Sequence, residues 1–285
     1  MEYKTLIGKV KIPSVGLGTW LIGGDTETDY SKDKESVETI KKAVEMGYTL
    51  IDTAEMYGNG HCEELIGKAI KGLDRKKLFI VSKVKNVNLH YDDVIDSAKN
   101  SLKRLNMGYI DLYLIHFPND DIPLKETVKA LDHLVEQKLV RYIGVSNFTL
   151  KRLKEAEKYS KNKIVANQIE YSLLTRNKGR YANNTDMEKK TIPYCQKNGI
   201  IVMAERPIER GILLKPHPVL DNLAKKYNKT RSQIAINWLI SKENIIAIPK
   251  SANLVHLKDN LGALGWKLEK KDMELLDKTN FESLQ

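Results

Sequence analysis

At 285 residues, with 41% hydrophobic and 29% charged side chains, the chain has the composition of a globular protein long enough for one large domain. Ile200-Ile201-Val202-Met203-Ala204 is the nearest approach to a membrane helix, far short of the roughly 20 apolar residues one needs, and residues 1–11 lack the apolar centre of a secretion signal, so no membrane partner is expected and the cytoplasm is the expected location. A net charge of +10 raises nucleic acid as a partner, but Lys and Arg are spread along the chain and dense stretches such as Lys151-Arg152-Leu153-Lys154-Glu155 carry acids, which favours solvated helix faces and no nucleic-acid partner.

Residues 6–12 suit a short hairpin. Eight runs rich in β-formers follow at a spacing of about 30 residues: 15–19, 48–52, 78–84, 110–116, 140–145, 165–170, 199–204 and 245–249. Helical periodicity fills the gaps. Val37, Ile40 and Val44 recur before Gly47, and Ile95, Ala98, Leu102 and Leu105 follow the capping pair Asp92-Asp93. Leu131, Leu134 and Val135 repeat the pattern, and helices are expected over 149–159, 185–197, 217–240, 253–262 and 270–279.

Strands alternating with helices make parallel βαβ units. Eight of them close into an α/β (β/α)₈ barrel, the TIM barrel, with the hairpin over its floor and a C-terminal extra helix. The alternative is an open doubly wound sheet, whose first strand should lead into G-x-G-x-x-G. Here Gly16-Leu17-Gly18 runs on into Thr19-Trp20-Leu21 without the last glycine. There is no Walker loop, no H-E-x-x-H, no expected metal site and no internal linker, so residues 1–285 are expected to form a single domain. Cys62 and Cys195 make neither a CxxC pair nor a disulfide framework, as suits a reducing compartment. Cys62 lies near a helix start and is read as a small packing residue rather than a reactive thiol.

In a barrel of this type chemistry sits at the C-terminal ends of the strands. The second run ends in Asp52, the third carries Lys83 near its end and the fourth ends in His116. Strand side chains alternate with period two. Asp52 therefore shares a face with Leu50, Lys83 with Val81 and Phe79, and His116 with Leu114 and Leu112. Each polar group ends an apolar series able to fill the barrel, and Tyr57 can reach them from the loop after Asp52. A phenol titrates near 10 in water, and a neighbouring ammonium favours the phenolate. Lys83 would tune Tyr57, Asp52 would hold Lys83, and His116 would orient a carbonyl that Tyr57 protonates. An Asp or Lys at a strand end is often structural; four such groups in consecutive units are harder to read that way.

Asp52-Thr53-Ala54-x-x-Tyr57-Gly58-Asn59, Ser82-Lys83-Val84 and Asp111-x-Tyr113-Leu114-Ile115-His116 resemble the catalytic signature of the aldo-keto reductases. The resemblance continues through Gly144-Val145-Ser146-Asn147-Phe148, Asn167-Gln168-Ile169-Glu170-Tyr171 and Ile248-Pro249-Lys250-Ser251, so that it runs from Gly16 to Asn260. The length is similar to that of the family's short microbial members.

The resemblance implies an NAD(P)H-dependent oxidoreductase that interconverts small aldehydes or ketones and alcohols, with Tyr57 as acid/base. It implies that Ser146, Asn147 and Gln168 grip the nicotinamide carboxamide, with donor and acceptor groups suited to an amide. Gly18, Thr19 and Trp20 would lie beside the nicotinamide ribose and the substrate, and Trp20 and Phe117 would wall the pocket together with Tyr57 and His116. Lys250 and Ser251 match positions for the 2′-phosphate of NADPH, and Asp259 and Asn260 match an adenine-binding pair. The positive net charge would help attract the anionic dinucleotide.

Two positions depart from the family pattern. His256 stands where arginine is usual, so NADP is the expected cofactor with NAD possible. Glu205-Arg206-Pro207 falls in a cofactor-binding segment where Glu205 replaces an aromatic, and Arg206 is placed to reach the pyrophosphate. Glu205 is expected either to face the nicotinamide or to pair with Arg206 or Arg210. The alternatives to an active reductase are a cofactor-sensing regulatory subunit of the same fold and an unrelated phosphate-binding barrel lyase.

Overall fold

A computed structural model describes residues 2–176 and 186–284. The chain opens with an antiparallel hairpin of β1 (Tyr3–Ile7) and β2 (Val10–Pro13). Eight parallel strands follow in chain order within one sheet: β3 (Leu17–Gly18), β4 (Leu50–Asp52), β5 (Phe79–Val84), β6 (Ile110–Ile115), β7 (Val140–Ser146), β8 (Ile164–Glu170), β9 (Ile201–Glu205) and β10 (Ile245–Ala247). The sheet closes on itself because Gly16 N donates to Ala247 O at 2.9 Å and Gly18 N to Pro249 O at 3.0 Å. A Cβ at Gly18 would meet Ile248 O at 2.8 Å, so the closure needs glycine there. The result is the expected (β/α)₈ barrel.

Period-two alternation divides the core into two layers. Leu50, Phe79, Val81, Leu112, Leu114 and Met203 fill the interior, and Leu6 and Ile12 of the hairpin join them from below. Their neighbours Ile51, Ile80, Tyr113, Ile115 and Val202 point outward under the helices. Each fully buried aliphatic side chain contributes roughly 1.5–3 kcal/mol.

The helices are α1 (Asp33–Glu45), α2 (His61–Ala69), α3 (Tyr91–Leu105), α4 (Leu124–Glu136), α5 (Leu150–Tyr159), α6 (Ile192–Lys197), α7 (Pro218–Tyr227), α8 (Arg231–Ile240), α9 (Leu254–Leu261) and α10 (Lys270–Lys278). α10 is the extra C-terminal helix; Asp277 accepts from Trp238 Nε1 at 2.8 Å and fixes it to the barrel wall.

Three elements differ from the periodicity. The helix expected over 217–240 is two helices, because Asn228 turns left-handed (φ 52) and Thr230 with Gln233 forms a capping box that restarts the chain as α8. The helix expected over 185–197 begins as a π-helical turn at Met187–Thr191 before α6, and residue 185 lies outside the described residues. α2 carries a weak periodic signal, because seven of its nine residues are buried and only Glu64 and Lys68 make an exposed stripe. No helix among the described residues is long and apolar enough to cross a membrane.

Candidate active site

The pleat that points Leu50, Val81 and Leu114 inward also brings Asp52, Lys83 and His116 to the C-terminal mouth. Lys83 is fully buried. Its Nζ donates to Asp52 Oδ2 at 2.9 Å, to Thr53 O at 2.7 Å and to Tyr57 Oη at 3.5 Å. An ammonium carries three donors, and these three contacts use them, which is how a buried cation is tolerated. Gln168 Nε2 donates to Asp52 Oδ1 at 2.8 Å, so the carboxylate is held from two strands. The Tyr57 and His116 rings meet edge to face with centroids 5.7 Å apart. Burial, and then Lys83, hold the His116 imidazole well below its usual range, so it is neutral and keeps one N–H donor. Its Nδ1 is buried without a hydrogen-bond partner among the described residues, and Phe117 stacks on its ring at 4.6 Å.

Tyr57 is aimed by a turn that glycine makes possible. Gly58 has φ 55, and a Cβ there would meet Gly23 O at 2.1 Å. Gly58 N donates to Asp25 O at 2.7 Å and Thr28 Oγ1 donates to Gly58 O at 3.0 Å. The same segment holds Trp20, whose Nε1 donates to Asp25 Oδ1 at 3.0 Å. Gly58→Ala should therefore both strain the turn and displace Tyr57. We expect a loss of about 2 kcal/mol in stability with a fall in turnover, read from thermal melts and initial rates; an unchanged melting temperature would show that the clash relaxes freely.

The remaining candidates line the rim. Asn147 is left-handed (φ 61); its Nδ2 donates to His116 O and to Ser146 Oγ, while its Oδ1 is buried and has no hydrogen-bond partner among the described residues. Thr19 is buried with its hydroxyl on Asp52 O at 2.8 Å, beside Gly18. Glu205 ends β9 with Oε1 buried and lacking a hydrogen-bond partner among the described residues. The ion pair considered for it is not where Arg206 goes: Arg206 Nη1 meets Glu170 Oε1 at 3.2 Å. Arg210 instead lies over the Trp20 ring, 4.2 Å from its centroid, with Arg206 at 5.6 Å. Pro207 is buried between them in sequence. Arg206, Glu209 and Arg210 are all left-handed (φ 51, 46 and 51), a concentration of backbone strain that marks functional loops.

Beside the mouth, Lys250, Ser251, Asn253 and His256 line a cleft whose other wall is Glu35, Glu38 and Lys42 of α1. Ser251 Oγ is engaged with Asn253 at the start of α9. Asp259 accepts from Thr230, Ser232 and Gln233 at the cap of α8. Asn260 is buried beside Tyr48.

Residues 14–280 match the model of the Aldo/keto reductase family. The chain belongs to this family. A methylglyoxal reductase of Escherichia coli, YeaE, is 36% identical over 95% of this chain and 92% of its own length. The crystal structure of a thermostable aldo-keto reductase, Tm1743, bound to the inhibitor epalrestat, superposes with a TM-score of 0.90 at 45% identity, covering 100% of both chains. An aldo/keto reductase from Klebsiella pneumoniae in complex with NADP and acetate gives 0.83 at 32% identity, over 95% of this chain and 92% of that one.

Several contacts at this aldo-keto reductase's mouth are not ones the sequence points to. Asp25 supports both Trp20 and the Tyr57 turn, Thr53 supplies the carbonyl that receives Lys83, and Arg210 covers Trp20. Only Gly23-Gly24 beside Asp25, a turn signal, hinted at the first. Cys62 is buried with Sγ 3.2 Å from Thr19 Oγ1, and burial pushes its thiol up to about 11, so it is a packing group of this aldo-keto reductase.

Proposed function

We propose that this protein is an NADP-dependent carbonyl oxidoreductase in which Tyr57 exchanges the proton and His116 orients the oxygen. The observation that carries this reading is the triple engagement of Lys83 by Asp52, Thr53 and Tyr57 inside a buried mouth. The groups around the mouth fit a nicotinamide nucleotide. Asn147 Oδ1 and His116 Nδ1 are buried polar atoms without hydrogen-bond partners among the described residues, and Lys250 and His256 line a separate cleft next to α1.

When bound, the nucleotide supplies or accepts hydride. The chain does the rest. Neutral His116 donates to a carbonyl oxygen and directs it at Tyr57. Tyr57 gives its proton to that oxygen as negative charge grows there, and Lys83 stabilises the phenolate left behind. Asp52, clamped by Lys83 and Gln168, keeps the ammonium in line. Methylglyoxal, the substrate named for a relative that is 36% identical, is the first carbonyl to try. Steady oxidation of NADPH with methylglyoxal tests the assignment, and tight nucleotide binding without turnover on any carbonyl would overturn it.

The cleft also bears on cofactor choice. Lys250 and His256 attract a 2′-phosphate, whereas Glu35 and Glu38 on the facing wall repel it. NADP should therefore be preferred to NAD by a modest margin. His256→Arg should tighten NADPH by roughly twofold to fivefold, the scale of a solvent-exposed ion pair, and leave NADH nearly unchanged. Equal tightening of both, measured by fluorescence titration, would show that residue 256 does not meet the 2′-phosphate.

A further inference from the structure

β9 delivers a second carboxyl group to the mouth. Glu205 ends that strand, in register with Glu170 of β8, and its Oε1 is shut off from solvent without a hydrogen-bond partner among the described residues. The charged groups that face it are Arg206 next to it in the chain, Glu170 from β8, Lys83 from β5 and Asp52 from β4. Neither cation is committed to it. Arg206 Nη1 lies 3.2 Å from Glu170 Oε1, and the three donors of Lys83 go to Asp52, Thr53 and Tyr57.

Glu205 as a whole is only partly buried, but an orphaned carboxylate oxygen in such a place is costly, and a proton on the group lowers that cost. Burial accordingly pushes Glu205 up to about 7, with Arg206 pulling the other way and Glu170 and Asp52 adding to the rise. The site proposed above works by hydride transfer at this mouth. A nicotinamide ring there is neutral when reduced and cationic when oxidised, and a fixed negative charge nearby favours only the second.

We propose that Glu205 is a proton-linked sensor of the nicotinamide's redox state: it keeps its proton beside the reduced ring and releases it to solvent when the oxidised ring binds. The inference rests on the oxidoreductase reading. The proton balance is simple. Protonated enzyme and NADP⁺ give the binary complex and one free proton, and NADPH binding releases none from this residue. Near neutral pH the protein then grips its oxidised cofactor more tightly as pH rises, which makes alcohol oxidation easier in alkaline conditions and cofactor discharge easier after reduction in acidic ones.

The test is direct binding. Dissociation constants of NADP⁺ and NADPH are measured by fluorescence and calorimetry from pH 5.5 to 8.5, for the natural protein and for Glu205→Gln, which keeps size and loses charge. Ionisation of the 2′-phosphate is common to both nucleotides and cancels in the ratio. The natural protein should show the ratio Kd(NADPH)/Kd(NADP⁺) rising about tenfold or more across that range, because a charge pair a few ångströms apart shifts the proton equilibrium by more than the span can show and the span, running from below to above about 7, sets the limit; in Glu205→Gln it should stay flat. Calorimetry of the natural protein in two buffers of different ionisation enthalpy should also find more proton released on NADP⁺ binding than on NADPH binding at pH 7, an arm in which the phosphate again cancels and that does not depend on the variant folding. A ratio that ignores pH while both nucleotides bind, or a pH dependence that survives in Glu205→Gln, overturns the sensor alone. Failure of either nucleotide to bind at any pH overturns the oxidoreductase reading and the sensor with it.

Discussion

Tyr57→Phe should leave cofactor affinity within about twofold of the natural protein and lower kcat for carbonyl reduction by roughly 10² to 10⁴, the usual worth of a positioned general acid. The asymmetry follows from what the hydroxyl does. In the resting site it meets Lys83 Nζ at 3.5 Å, a long contact, and the ring packs edge to face on His116 without needing the oxygen. Only in the transition state, when negative charge appears on the carbonyl oxygen, is the O–H bond used, so its loss falls on kcat and not on ground-state binding. Stopped-flow reduction of methylglyoxal alongside nucleotide titration separates the two. Retention of a tenth or more of the activity would remove Tyr57 from the role.

Lys83→Met should be the more damaging change to the molecule as a whole. Its ammonium is fully buried against Asp52. Truncating one partner of a buried pair typically costs about 3–5 kcal/mol because the other charge is left unpaired. Asp52 would keep only the Gln168 amide at 2.8 Å. We expect a lower urea midpoint and turnover at background. The double variant Lys83→Met/Asp52→Leu is the discriminating experiment. Replacing both charges with apolar groups of similar volume should recover most of the lost stability while activity stays absent, since nothing then stabilises the Tyr57 phenolate. If activity returned along with stability, the ion pair would be structural and the assignment of Lys83 wrong.

The sequence by itself determined the barrel and the core of its site. Eight β-rich runs appear as eight strands, each within a few residues of its expected bounds, and the alternation of Leu50 with Asp52, of Val81 with Lys83 and of Leu114 with His116 marks which groups face the interior. These features are legible because strand pleat and helix pitch are local: neighbours in sequence dictate them. The helix after Tyr57 and the break at Asn228 were less legible, the first because its exposed stripe is only Glu64 and Lys68, the second because one left-handed residue leaves the apolar pattern intact.

Tertiary structure alone decided the pairings at the mouth. That Arg206 turns to Glu170, that Arg210 covers Trp20, that Asp259 accepts at the cap of α8 and that Glu205 Oε1 is buried without a hydrogen-bond partner among the described residues all depend on the register between strands far apart in the chain and on the path of a strained loop. A period of two says that Glu205 reaches the mouth with its strand. It does not say which cation arrives beside it, because the choice is made by the few ångströms of offset that closing the barrel imposes on side chains from β4, β5, β8 and β9.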